Sequence, residues 1–269
     1  MYLQRNWRVL TVGDGDLTFT KALLDFYPAS QLHGSVYDSE TTLRDKYQHH
    51  GIDALRAAKV SLDFEFDVTS VESWQRLGEK RFDLVIFQFP LLSQLGSEQA
   101  FAAAKQNGGL NILNRALLHQ YLLNSARYAL APQGAGLCYI TSKDVKPYSH
   151  WGLDHALTSH TPMHFLGEQQ FDLRRFPGYK VRNVDRDKHV KDTLGITYTY
   201  ALNAESEMSA HCHRRHHLDD PQCCLLCRAG PFQSERDREG HLNSKQHRHM
   251  QGYDSQWQRW LADFHKNTD

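Results

Sequence analysis

The stretch Arg8-Val-Leu-Thr-Val-Gly-Asp-Gly-Asp-Leu-Thr-Phe19 decides how the chain is read. Val9, Leu10 and Val12 make a short buried strand, and Gly13-Asp14-Gly15 a tight turn. Asp16 stands at a helix N-cap ahead of Leu17-Thr-Phe-Thr-Lys-Ala-Leu-Leu24. In α/β proteins, strand, glycine turn and helix bring bare backbone N–H groups and a positive helix end to a ligand. A dinucleotide fingerprint needs a third glycine at position 18, where this chain has Thr18. The carboxylates of Asp14 and Asp16 also sit where a pyrophosphate wants none. A cationic ligand with its own carboxylate and ribose suits the loop better, and S-adenosylmethionine is the common one. A Gly-x-Gly turn alone is weak, so the remaining chain must carry the assignment.

Working outward, Leu32-His-Gly-Ser-Val-Tyr-Asp38 reads as a second strand ending in an acid, roughly 20 residues beyond the glycine turn, where ribose-binding carboxylates fall. The plainer role for Asp38 is a helix N-cap, because Ser39 to Tyr47 looks helical. Val60-Ser-Leu-Asp-Phe-Glu-Phe-Asp67 alternates apolar and polar residues, a third strand with Asp67 at its end. Phe82-Asp-Leu-Val-Ile-Phe-Gln-Phe89 is apolar throughout, as buried parallel strands are, and Pro90 stops it. The polar segment from Ser93 to Gly109 reads as an excursion over the site. Leu110 to Leu130 is helical and ends at Pro132-Gln-Gly134. Gly136 to Thr141 and Gly195 to Leu202 are further strands. Alternating strands and helices predict an α/β fold with a doubly wound, mostly parallel sheet.

Length allows one large domain, or one domain plus a small module, in 269 residues. With 40% hydrophobic and 11% aromatic residues, a packed core is expected rather than disorder. No apolar run approaches the ~20 residues of a membrane span, and the N-terminus lacks a signal-peptide stretch. The expected location is cytoplasmic, or nucleolar in a eukaryote. Lys+Arg equals Asp+Glu at 31 each, which argues against loose, purely electrostatic nucleic-acid binding. Four of five cysteines fall between Cys212 and Cys227, and many of the 17 histidines lie after residue 210. Such clustering predicts metal rather than disulfides.

The composition shifts near Asn203. The expected organisation is a domain over 1–202, a His/Arg-rich linker over 203–221, and a metal module with a C-terminal helix over 222–269. Cys224, Cys227, His241 and His247 give a Cys-x2-Cys-x13-His-x5-His spacing that fits tetrahedral zinc, with two thiolates from a turn and two imidazoles from a helix. Phe232 and Leu242 are the expected small core of this module, and Cys223 or His249 are substitute ligands. Cys212 and its neighbouring histidines form either a second ion site or a flexible, pH-sensitive basic stretch. Trp257, Trp260, Leu261 and Phe264 recur at helical spacing, as in a packing helix. The string His241-Leu-Asn-Ser-Lys-Gln-His247 resembles U1 and matrin-type zinc fingers, which implies RNA binding.

Several motifs in one order resemble the 25S rRNA (uridine-N3)-methyltransferase-like family. They are Gly13-Asp-Gly-Asp-Leu-Thr-Phe-Thr20, Gly34-Ser-Val-Tyr-Asp-Ser-Glu40, Phe66-Asp-Val-Thr69, Phe82-Asp-Leu-Val-Ile-Phe-Gln-Phe-Pro-Leu91, Asn114-Arg-Ala-Leu-Leu118, Lys146-Pro-Tyr-Ser-His-Trp151 and Phe176-Pro-Gly-Tyr179. The resemblance implies a Rossmann-like, class I methyltransferase fold, S-adenosylmethionine as cofactor and RNA, most of all ribosomal RNA, as partner. Gln88 replaces the family's usual Asn, and Leu91 its usual His.

On this reading Gly13, Asp14 and Gly15 hold the methionine part, Asp38 the ribose and Asp67 the adenine amino group. Gln88, Phe89 and Pro90 floor the target-base pocket, with Phe89 either stacking on a base or packing in the core. Asp16, Asp144 and Tyr148 are candidates for the base that removes a uridine N3 proton. Lys143, Tyr148 and Tyr179 face substrate, and Lys143 and Lys146 either bind phosphate or lie in a solvated loop. The expected function is RNA methylation, with rRNA uridine N3 as target. A competing expectation is a catalytically silent Rossmann-like scaffold whose finger binds RNA or protein, motivated by Gln88 and Leu91. A nicotinamide-dependent oxidoreductase is disfavoured by Thr18 and the acidic loop.

Overall fold

Val9 to Val12 form β1, and every residue of it is buried. Apolar side chains on both faces require cover on both, so the strand belongs at the centre of a sheet. It pairs in parallel with β2 (Leu32–Ser35) on one side and with β4 (Leu84–Gln88) on the other. The computed structural model describes residues 1–92, 99, 109–183, 186–189 and 195–266. The excursion expected over 93–109 therefore lies, apart from residues 99 and 109, outside the described residues.

The main sheet adds β3 (Ser61–Asp63), β5 (Leu137–Lys143), β6 (His164–Phe171) and, beyond a short hairpin of β7 (Arg182–Asn183) and β8 (Arg186–His189), β9 (Gly195–Ala201). Its order is β3-β2-β1-β4-β5-β9-β6. All neighbours are parallel except β9, which runs antiparallel between β5 and β6. Alternation along the strands divides the core. Val9, Leu84 and Ile86 pack with Phe19 of α1 (Thr18–Ala22), Leu43 of α2 (Glu40–Lys46) and Ile52 of α3 (Ile52–Ala57). Leu10, Val12, Val85 and Phe87 pack with Trp74 of α4 (Val71–Gln75) and with Leu118 and Tyr121 of α5 (Gly109–Asn124). This is the doubly wound arrangement expected.

Boundaries differ from the expected ones for local reasons. The first helix starts at Thr18, and Leu17, in the left-handed region at φ 60°, takes the N-cap position instead of Asp16. The second strand stops at Ser35 and the third at Asp63, short of Asp38 and Asp67. Glu65 turns the chain at φ 54°, after which the Phe66 N–H bonds to the Val36 carbonyl and pairing resumes. Helix α5 passes into a wider π turn over Ser125–Ala129 before Leu130.

The segment 203–221 differs most from its expected role as a linker. Met208 is buried in the core, and the His213 backbone pairs with Glu168 of β6. Gly167 permits this approach: a Cβ there would lie 2.8 Å from the His213 carbonyl oxygen. Arg215 holds Glu168 at 2.8 Å, and His217 is buried against Asp154 at 3.0 Å. Beyond it, α6 (Glu235–Leu242) and the long α7 (Lys245–Lys266) complete the chain. Trp257 and Leu261 of α7 are buried on Ile112 and Ala116 of α5 and on Ala156, and the Trp257 indole N–H donates to the Ala156 carbonyl at 2.8 Å. Among the described residues, no helix is long and apolar enough to cross a membrane.

Candidate functional site

The chain leaves β1 and β4 at the point where the strand order reverses, and open α/β sheets bind ligands there. A cavity of about 400 Å³ occupies that place. It is lined by Gly13, Asp14, Gly15, Asp16, Asp38, Asp67, Gln88, Phe89, Pro90 and Tyr179, among others. The residues expected from separate strand ends thus meet in one concavity of ligand size.

The glycine loop is folded by its own carboxylates. The Asp14 carboxylate accepts from the Thr20 N–H at 2.6 Å, the Thr20 hydroxyl at 2.6 Å and the Phe19 N–H at 3.4 Å. Asp16 accepts from the Thr18 N–H at 3.0 Å. The N–H groups that would cradle a phosphate are therefore already used, and a phosphate there would face two carboxylates. Gly13 has φ 61°, and a Cβ on it would lie 2.4 Å from the Phe87 ring, so only glycine fits between loop and strand.

Charge is distributed to match a cation. Four carboxylates (Asp14, Asp16, Asp38, Asp67) line the cavity with three cations (Lys46, Lys180, Arg182). Asp38 pairs with Lys46 at 3.1 Å, and Asp16 with Arg182 at 2.6 Å. Ser39, not Asp38, caps α2 through its bond from the Thr42 N–H at 3.1 Å, which leaves Asp38 turned to the cavity. Burial, then the neighbouring Asp16 charge, pushes the Asp14 carboxyl up to about 7. Asp67 accepts from the Thr69 N–H and hydroxyl at 2.8 and 2.7 Å.

Asp16 does not serve as the free base expected of it. One oxygen is engaged by Thr18 and the other by Arg182, in a side chain 1% exposed. Asp144 is likewise occupied, by Arg215 at 2.6 Å and Arg228 at 2.8 Å. Tyr179 lies in the large cavity rather than beside Lys143 and Tyr148, packed edge-on against Phe19 at 5.0 Å. Burial and the Asp14 and Asp16 charges hold its phenol well above the usual range.

A second cavity of about 140 Å³ adjoins the first and shares Phe89, Pro90, Leu91, Val181 and Arg182 with it. Ser142, Lys143 and Tyr148 complete its wall, the Lys143 ammonium lying 5.7 Å from the Tyr148 ring centre. Burial lowers the Lys143 pKa. Gln88 is 7% exposed, lines the large cavity, and neither its Oε1 nor its Nε2 has a hydrogen-bond partner. A buried amide with both ends unpaired is costly, and a bound ligand is what would repay it. Phe89 follows at φ 45°, a conformation rare outside glycine, and packs edge-on against Phe171 at 5.7 Å. Of its two expected roles, Phe89 shows the packing one, and it also lines both cavities.

Cys224, Cys227, His241 and His247 bring their ligand atoms within 4.8 Å of one another. The Cys224 and Cys227 sulfurs are 3.4 and 3.7 Å from His247 Nδ1. Bonds of about 2.0–2.3 Å in a tetrahedron place ligand atoms roughly 3.3–3.8 Å apart, so the set fits one small ion. His241 Nε2 is buried without a hydrogen-bond partner, an orphan that a metal would satisfy. The two imidazoles come from two helices, because Ser244 ends one turn and accepts from the His247 N–H at 3.1 Å to start α7. Of the expected small core, Phe232 lies 5.1 Å from the His241 ring, while Leu242 is 40% exposed. Cys223 faces His216 instead, His249 lies beside Tyr253, and Cys212 joins no metal-ligating group among the described residues.

Sequence patterns did not reveal Arg182 and Val181, which close the large cavity, nor the buried Asp154. Arg182 carries no local signal, since it acts across 166 residues on Asp16. Burial works against the Asp154 charge, but hydrogen bonds from His155 and His217 and the Arg228 charge outweigh it and hold the carboxyl well below the usual range.

Residues 10–183 match the family described as rRNA (uridine-N3-)-methyltransferase BTM5-like. The chain is similar to the Arabidopsis thaliana proteins named heavy metal-associated isoprenylated plant protein 41 and uncharacterized protein At4g26485. Identity with the first is 26% over 183 residues, 67% of this chain and 33% of that protein. Identity with the second is 27% over 180 residues, 64% of this chain and 79% of that protein. The chain thus spans about a third of the first relative's length. Among solved structures it is similar to TrmN from Thermus thermophilus, at 12% identity and TM-score 0.40 over 73% of this chain and 44% of that one. It is also similar to the 16S rRNA (adenine(1408)-N(1))-methyltransferase from Catenulisporales acidiphilia, at 12% identity and TM-score 0.40 over 78% and 90%.

Proposed function

Because the chain belongs to the rRNA (uridine-N3-)-methyltransferase BTM5-like family, we propose that it transfers a methyl group from S-adenosylmethionine to uridine N3 of ribosomal RNA. The observation that carries this reading is Gln88, a buried carboxamide with both ends unpaired that lines the acidic cavity, one residue before the Phe89 and Pro90 shared with the smaller one. The family's usual Asn and this Gln share the amide, so donor and acceptor chemistry survive the change.

The residues of the large cavity suit the cofactor. Gly13 leaves room for close backbone approach, Asp38 accepts from ribose hydroxyls, and Asp67 from the adenine amino group. The acidic loop favours a sulfonium and an ammonium over a phosphate. When bound, the cofactor supplies an electrophilic methyl carbon, and the chain's task is then positioning. Gln88 Nε2 donates to a uracil carbonyl, and Phe89 and Tyr148 offer aromatic faces to an extruded base. Lys143, whose pKa burial lowers, lines the smaller cavity beside Tyr148. Lys143 or Tyr148 of that cavity takes the N3 proton as the N3–methyl bond forms. Cys224, Cys227, His241 and His247 hold a structural zinc ion, and the module they form helps to grip RNA.

Replacing Gln88 with alanine is expected to cut methyl transfer to RNA about 100-fold while cofactor affinity stays within a few-fold. Transfer from labelled cofactor, with calorimetry alongside, reads both. Wild-type protein that binds the cofactor yet methylates no ribosomal RNA would instead favour a silent scaffold.

Cofactor binding is also expected to depend on pH through Asp14. Its carboxyl titrates at about 7 in the free protein, and a cationic ligand binds the ionised form better. Affinity should be level above pH 7 and fall as pH drops below it, by up to ~10-fold per pH unit. Equal affinities at pH 6 and pH 8 would separate Asp14 from the ligand's positive charge.

A further inference from the structure

Arg228 directly follows Cys227, in a tight turn where Cys224 and Ala229 exchange backbone hydrogen bonds at 2.7 and 3.3 Å. Its backbone sits in the left-handed region at φ 53°, so the metal-binding turn sets where its side chain leaves. That side chain does not face solvent. It is 13% exposed and runs away from the cysteines into the large domain. There its Nη1 donates to Asp144 at 2.8 Å and its Nε to Asp154 at 2.9 Å, the latter a carboxylate with no exposed surface. Asp144 is the residue next to Lys143, which lines the smaller cavity with Tyr148. The same segment is clamped from its other end, where Asn111 and Arg115 both donate to the His150 carbonyl at 2.9 Å.

From this geometry we infer that Arg228 is a positioning residue for RNA methylation: the metal-loaded Cys/His turn holds Arg228, and Arg228 holds the Lys143–Trp151 rim that receives the target base. The inference rests on the proposed reading of that rim as the substrate side. The physical link is continuous. Metal fixes Cys224 and Cys227, the turn between Cys224 and Ala229 fixes the Arg228 backbone, the buried pair with Asp154 anchors the side chain, and the pair with Asp144 carries that position to the end of β5. Without Arg228, Asp154 keeps only His155 and His217 and Asp144 only Arg215, and losing the guanidinium beside the fully buried Asp154 is costly enough to move a loop. Helix α7 leaves the module at His247 and docks through Trp257, so the turn cannot drift freely when loaded. The module then braces the rim of the active site from behind as well as helping to grip RNA.

Full-length protein tests this by hydrogen exchange over residues 143–151, measured with zinc bound, after chelation, and in Arg228→Ala and Arg228→Lys. Chelation and Arg228→Ala are both expected to speed exchange there about tenfold, while exchange in β1 and β4 stays unchanged. In methyl-transfer assays Arg228→Ala should raise the KM for RNA about tenfold, leave cofactor affinity unchanged, and be partly restored by Arg228→Lys. Unchanged exchange over 143–151 on chelation would overturn the proposal. So would a loss spread evenly over the sheet, which marks Arg228 as general packing only. Exchange needs no turnover, so absence of methyl transfer would count against the proposed function without deciding this coupling.

Discussion

A Cys227→Ser variant is expected to purify without the zinc proposed for it and to lose ordered structure over about residues 222–244, while β1 and β4 keep their exchange protection. The reason lies in how little apolar packing supports the module beside the ion pairs of Arg228. From 222 to 246 no residue is buried, Phe232 is only partly covered, and Leu242 is 40% exposed. A segment of this size cannot offset its ordering entropy without a core, and on the proposed reading the metal supplies the difference. Structural zinc in comparable small modules contributes roughly 10–16 kcal/mol of apparent binding free energy, which is folding free energy there. Loss should stop near Met250, because Trp257 and Leu261 remain packed on α5. Metal analysis and hydrogen exchange on the same sample check both halves. A variant that keeps its full zinc content would remove Cys227 from the ligand set.

Gly13→Ala is expected to abolish measurable S-adenosylmethionine binding and to lower the melting temperature by several degrees. Two costs combine. An alanine at φ 61° pays about 1–2 kcal/mol for left-handed backbone. Its Cβ, 2.4 Å from the Phe87 ring, forces the loop or the strand end to move, adding about 1–3 kcal/mol. At roughly 2–4 °C per kcal/mol for a chain of this size, the shift is readily seen. Either displacement carries Asp14 and Gln88 with it, since one follows Gly13 and the other follows Phe87. Gly78→Ala is the control: its φ is 60° but nothing lies within 4 Å of the added carbon. It should show the backbone cost without the binding defect. Equal binding loss in both variants would mean that the Phe87 contact is irrelevant.

The parts of this protein that were legible in advance share a property. Val9 to Val12, Leu84 to Gln88 and the Cys/His spacing are local patterns whose chemistry does not depend on distant residues. Buried strands demand apolar runs, and tetrahedral metal sites demand their ligands at short spacing. What was misread depended on distance. Asp38 and Asp67 read as strand ends, yet the regular strands stop at Ser35 and Asp63 and both carboxylates lie in the loops beside the cavity. Asp16 looked like an available base because nothing near it in sequence foretells Arg182.

The same division separates the two halves of the functional reading. Sequence alone determined an α/β chain with an acidic glycine loop, a family of methyltransferase motifs and a Cys/His module, because each is written in neighbouring residues. Only tertiary structure decided which carboxylates are free, that Gln88 is left unpaired at a cavity rim, and that residues 203–221 lie along the sheet edge. It alone joined Arg228 to Asp144 across 84 residues. Ion pairs and burial form between parts of the chain that carry no record of each other in sequence, and their free energies exist only once the fold has brought them together.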